Sequence, residues 1–229
     1  SMAPPPLNLL ADYGGGAMLL LVGVLAALWE AQRSGRGQVV DAAMVDGVAM
    51  LMSLFHTMAA QGMWREEAGV NLLDSGAPFY DVYRTADGRW LAVACLEPQF
   101  YAEWLRVAGL DGEDLPGQYD APGWPVLRER FAETIVSRTR DEWAEAAAGT
   151  DACVAPVLTM QEAPHHPHLS ARGTFVEVGG IVQASPAPRF SRTPTGTPGV
   201  SAAASPQALA AWGVDAGRVD ELRARGVVG

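Results

Sequence analysis

The chain has 229 residues, 49% of them hydrophobic, and sets 26 acidic against 16 basic side chains for a formal charge of −10. Every basic side chain is an arginine, which excludes a lysine Schiff base and a P-loop lysine. The acidic balance argues against nucleic acid as a partner, and the apolar content is ample for one large domain or two small ones.

The Pro-rich start, APPP, lacks the basic n-region of a secretory leader, so a cytoplasmic protein is the expectation. LNLLADYGGG (7–16) then places one carboxylate, Asp12, ahead of three glycines and the apolar segment AMLLLVGVLAALWEAQ (17–32). Strong helix formers with almost no polar residue before Glu30 predict a buried helix over 17–32. Its apolar run ends short of the ~20 residues a bilayer requires, so no membrane span is expected. Gly14 to Gly16 read as a tight turn whose bare backbone can approach a ligand. Free amides and the dipole at the helix start favour an ionised Asp12 and offer donors to an oxyanion. Asp12 is therefore either a base or a simple helix cap.

SGRG (34–37) is a turn, QVVDAAM (38–44) is strand-like, and a second long helix is predicted over about 44–63. Met44, Val48, Leu51, Phe55 and Met58 form one stripe of that helix, and Met52, His56, Ala59 and Met63 another, implying burial on two sides. Its methionines suit gap-filling in a core or subunit interface, or an adaptable surface for a fatty acyl chain.

From Asn71 the composition shifts to short strands and turns. GAPFYDVYRT, the turn Ala86-Asp87-Gly88 and RWLAVACLE predict a β-hairpin. Helices follow from Glu97-Pro98 to about Ala108, over 124–138, and over 139–148, the last with a Thr139/Glu142 capping box. DACVAPVL supplies a buried strand and 161–172 a short helix, followed by 174–178. A Pro/Gly/Ser/Thr-rich connection then runs to Pro206, and a helix over about 206–225 closes the chain. The expected domains are 1–70, an α/β portion with long linker helices; 71–178, a smaller α+β domain; and 179–229, an extended return and terminal helix.

Cys95 and Cys153 lie in separate apolar runs and read as reduced, strand-buried thiols. His165, His166 and His168 have no carboxylate or cysteine at ligand spacing, so no metal site is assigned. A G-x-S-x-G elbow and a G-x-G-x-x-G loop are both absent. Glu97 closes an apolar strand and opens a helix, a place where a carboxylate orients a neighbouring histidine or simply complements the helix dipole.

NLLADYGGG, SGRGQVVDAAMVDG, NLLDSGAPFYDVYRTADGR, LEPQFY and DACVAPVL together resemble the α-methylacyl-CoA racemases, members of the family III CoA-transferase (CaiB/BaiF) superfamily, from Leu7 to about Arg192. The resemblance implies a partial family III fold and an interlocked dimer. It implies epimerisation of 2-methylacyl-CoA thioesters in fatty acid metabolism, through an enolate and with no cofactor beyond the CoA of the substrate. Asp12 and Glu97 match the catalytic positions: Asp12 one acid/base group, Glu97 the holder of the histidine that is the other. Gly14, Gly15, Tyr80, Leu96, Met44 and Met52 fall where substrate would bind. The family's histidine and most CoA contacts lie upstream of the segment matching Leu7, so the chain reads as a C-terminal portion, incomplete alone. A CoA transferase with an aspartyl nucleophile and a non-catalytic module docking on an N-terminal partner are the alternatives.

Overall fold

The computed structural model describes residues 6–199 and 206–227. It divides into two compact units, Ser1–Val157 and Leu158–Gly229. This division differs from the boundaries expected at 70/71 and 178/179, because helices before residue 70 and the α+β body after it cluster together.

The first unit opens with a helix that is π-helical over Leu9–Met18 and continues as α1, Leu19–Ser34. The helix expected over 17–32 thus starts eight residues earlier and runs through the three glycines. Gly14, Gly15 and Gly16 do not form a turn; their missing side chains admit the next helix, α2 (Met44–Leu51), at backbone contact. A Cβ on Gly47 of α2 would collide with the Gly15 carbonyl, and one on Gly15 would lie 2.9 Å from the Val48 side chain. Left-handed Gly35 ends α1 at φ 71°, as the SGRG turn requires.

Three further expectations fail in this region. Residues 36–43 form no strand, since nothing in the described chain pairs with them. The single helix expected over 44–63 breaks at Met52 into α2 and α3, Ser53–Ala60. Finally, α1 has no buried residue: Leu21, Leu25, Leu28 and Trp29 are all more than half exposed. The continuous helix Leu9–Ser34, 26 residues, is long and apolar enough to cross a membrane, so the run-length argument against a span does not hold.

The body of the unit is built as its sequence pattern requires. β1 (Tyr80–Arg84) and β2 (Trp90–Ala94) pair antiparallel around left-handed Gly88, and β3 (Val154–Pro156) adds to β2 with Leu91 opposite Pro156. Pro98 at the first turn starts α4 (Pro98–Ala108), and left-handed Gly109 stops it. Tyr101, Trp104 and Ala108 form its buried face; Leu127, Phe131 and Ile135 do the same for α5 (Trp124–Ile135). The Thr139/Glu142 capping box opens α6 (Arg140–Ala147). Trp104 is the centre of the core, 5.7 Å from the rings of both Phe131 and Trp143, and the Trp143 indole donates to the Ile135 carbonyl at 2.8 Å.

In the second unit the short helix expected over 161–172 is a 3₁₀ turn, Ala163–His165, followed by α7, Pro167–Ala171. β4 (Phe175–Val178) was not anticipated, and the chain then doubles back through Gly179-Gly180 into β5 (Ile181–Ala184), so a hairpin stands where an extended connection was expected. The terminal helix is two, α8 (Pro206–Ala211) and α9 (Ala216–Ala224), separated at left-handed Gly213.

Candidate active site

The structure gathers the expected site residues into two groups. Asp12, Gly14, Gly15 and Met44 stand where the π-helical segment crosses α2, with the Met44 side chain over Gly16; Met52 follows at the α2/α3 break. Asp12 is exposed in the first turn, and the position capping that helix is Asn8, which makes no side-chain cap. Asp12 is therefore not the N-cap, and among the described residues its carboxylate has no hydrogen-bond or ion-pair partner.

The second group lies where β1 begins and β2 ends. Tyr80 is half-buried against the core and pairs with Ala94. Past Ala94 the Cys95 amide donates to the Phe79 carbonyl at 3.0 Å, Leu96 packs on the core, and Glu97 enters α4 as its N-cap. The Glu97 backbone carbonyl accepts from the amides of Phe100 and Tyr101, both at 3.0 Å. Its carboxylate is exposed, makes no capping bond and is otherwise unclaimed among the described residues. No hydrogen bond or ion pair joins Asp12 to Glu97.

The two cysteines part company here. Cys95 is wholly buried, and that burial pushes its thiol up to about 12. Cys153, expected to be buried too, is exposed in a left-handed conformation, φ 51°, with its carbonyl accepting from Ala94. Partial desolvation, then the negative charges of Glu97 and Asp151, raise its thiol above the ordinary range.

Three residues around this corner were invisible to sequence reasoning. The Gln118 amide donates to the carbonyls of Cys95 (3.1 Å) and Leu96 (2.9 Å), and the Tyr119 hydroxyl donates to Leu96 at 2.6 Å. The Trp124 indole in turn donates to the Gln118 carbonyl at 2.9 Å. A polar pair in a loop carries no periodicity, so only the three-dimensional path reveals what it touches. Among the described residues no group of three or more His, Cys, Asp or Glu side chains could hold a metal ion.

Residues 6–208 match the sequence profile of CoA-transferase family III. The chain belongs to that family. It is 48% identical over 191 residues to the alpha-methylacyl-CoA racemase of Mus musculus, covering 83% of this chain and 50% of that protein. Identity to the Homo sapiens alpha-methylacyl-CoA racemase is 44% over 190 residues, 82% of this chain and 50% of the relative. The succinyl-CoA--D-citramalate CoA-transferase of Chloroflexus aurantiacus is 28% identical over 205 residues, 84% of this chain and 50% of its own length. The family III chain thus spans about half the length of the curated relatives it matches. The fold is shared with a CAIB/BAIF family protein from Brucella suis, at a TM-score of 0.70 and 18% identity over 92% of this chain and 56% of that one.

Proposed function

We propose that this chain supplies one portion of an α-methylacyl-CoA racemase-like enzyme, with Asp12 serving one face of the substrate and Glu97 holding the histidine that serves the other. The observation that carries this reading is the 48% and 44% identity to racemases over 83% and 82% of this chain, against 28% for the CoA-transferase. The histidine and most of the CoA site would come from an N-terminal half that the matched region does not include.

In this mechanism a base takes the α-proton of a 2-methylacyl-CoA thioester, and the C–H electron pair moves into the thioester as an enolate. An acid on the opposite face then returns a proton to the α-carbon, inverting it. A carboxylate and an imidazole suit the pair, because either can act as acid or base near neutral pH when its surroundings tune it. Gly14 and Gly15 are proposed to lie near the thioester as the close crossing with α2; their amides sit inside the helix, so donors to the enolate oxygen would come from elsewhere in the completed site. Met44 and Met52 would offer the acyl chain an adaptable surface, and Tyr80 and Leu96 would line the Glu97 side. The substrate would belong to fatty acid metabolism, with CoA as its own carrier and no separate cofactor.

The exposed apolar faces of α1 to α3 would be covered by protein, in a dimer or by the N-terminal half, which keeps a cytoplasmic location the simpler reading of the long first helix. The test pairs the chain with a racemase N-terminal half. Asp12→Asn should abolish exchange on one face, while Glu97→Gln, acting through the histidine, should weaken the other less severely. Retained two-face exchange in Asp12→Asn would remove Asp12 from the proton transfer, and a trapped acyl-aspartate at Asp12 with no α-deuteration would instead support the transferase.

A further inference from the structure

We propose that Gln118 and Tyr119 are positioning residues for Glu97: their hydrogen bonds fix the Leu96 carbonyl and so set where the Glu97 carboxylate leaves the sheet. The proposal rests on the reading of Glu97 above. β2 ends at Ala94, and beyond it the carbonyls of Cys95 and Leu96 have no strand to pair with. The Gln118 amide spans both, and the Tyr119 hydroxyl gives the Leu96 oxygen a second donor, filling its two acceptor sites. A peptide unit is planar, so holding the Leu96 carbonyl also holds the Glu97 nitrogen and Cα. On the far side of that Cα, the Glu97 carbonyl is fixed by the Phe100 and Tyr101 amides. Both peptide planes flanking Glu97 are therefore pinned, leaving only its side-chain torsions free.

The donors are themselves anchored. Gln118 is held through its own carbonyl by Trp124, and the Tyr119 ring meets Phe79 edge to face at 5.8 Å. Gly123 closes the same loop, its amide donating to Asp120 at 2.8 Å, in a space where a Cβ would lie 3.0 Å from the Asp120 carboxylate. The loop thus connects the Glu97 corner to the core, although it approaches Glu97 from more than twenty residues downstream.

Cys153 provides a reporter in the isolated chain, since it is exposed and its thiol is raised in part by the Glu97 charge, while Cys95 is buried from reagent. The rate of Cys153 alkylation is measured against pH. Glu97→Gln should lower the thiol's midpoint by removing a negative neighbour. Gln118→Met, which keeps length but removes the donors, and Tyr119→Phe, which keeps the ring on Phe79, should each move the midpoint part of the way toward the Glu97→Gln value. Tyr119 is largely exposed, so its loss of one hydroxyl leaves the fold intact. A midpoint unchanged in the Gln118→Met/Tyr119→Phe double variant while Glu97→Gln shifts it would overturn the proposal, as would no shift in Glu97→Gln. In the enzyme completed by an N-terminal half, the double variant should lose on the order of tenfold in kcat with KM unchanged. A shifted thiol midpoint with unaltered kcat would sustain the positioning and remove Glu97 from the reaction.

Discussion

The helices of 9–60 and the α+β body of 77–152 are similarly rich in apolar side chains, yet they dispose of them in opposite ways. In the body, Phe79, Leu91, Trp104, Phe131, Ile135 and Trp143 all lie within one closed core. In the helices the buried residues are three glycines, Gly15, Gly16 and Gly47, while leucines, valines and Trp29 face outward. The body satisfies its hydrophobic pattern within the chain; the helices satisfy theirs only at one backbone crossing. Apolar periodicity therefore marks a surface that must be covered, without saying which polypeptide covers it.

This comparison has direct consequences for stability. Trp104→Ala, at the centre of the body, should lower the unfolding free energy by about 3–5 kcal/mol, whereas Leu25→Ala on exposed α1 should change it by less than about 0.5 kcal/mol. Urea titration of both variants checks the contrast. Equal losses in a chain shown to be monomeric under the same conditions would break the distinction.

A smaller effect tests the joint between the two regions. Asn71 and Asp74 organise residues 65–76: Asp74 accepts from the amides of Gly69, Asn71 and Gly76 and from the Asn71 side chain. Burial works to raise the Asp74 carboxyl, but the Asn71 side chain and these amides outweigh it and hold it below its ordinary value of 3.8. A depressed carboxyl stabilises the fold above its unfolded value, and that contribution disappears as pH falls through the lower folded value. Asp74→Asn should therefore cost about 1–2 kcal/mol at neutral pH and flatten the acid limb of a pH–stability profile. An unaltered acid limb would show that the joint does not depend on this charge.

The body was legible in the sequence because its signals are local and agree with one another: the Ala86-Asp87-Gly88 turn, Pro98 at a helix start, and the Thr139/Glu142 box each name an element without reference to the rest of the fold. The helices were not, for a physical reason. Three consecutive glycines suggest a turn, but the same lack of a Cβ permits a close helix crossing, and only the position of Gly47 decides between them. QVV has the composition of a strand but no partner in the described chain. At the candidate site, the place of Glu97 between strand and helix was legible, whereas Gln118 and Tyr119 reach the Leu96 carbonyl across a loop that no spacing rule connects to it.

The central claim is that this family III chain carries one portion of a two-sided proton-transfer site. It is tested most directly by incubating a chiral 2-methylacyl-CoA in deuterated water with the purified chain, alone and together with a racemase N-terminal half, and reading α-deuterium and configuration. The account predicts negligible exchange and inversion from the chain alone, and both once the halves are combined. Rapid deuteration with inversion by the chain alone would contradict it.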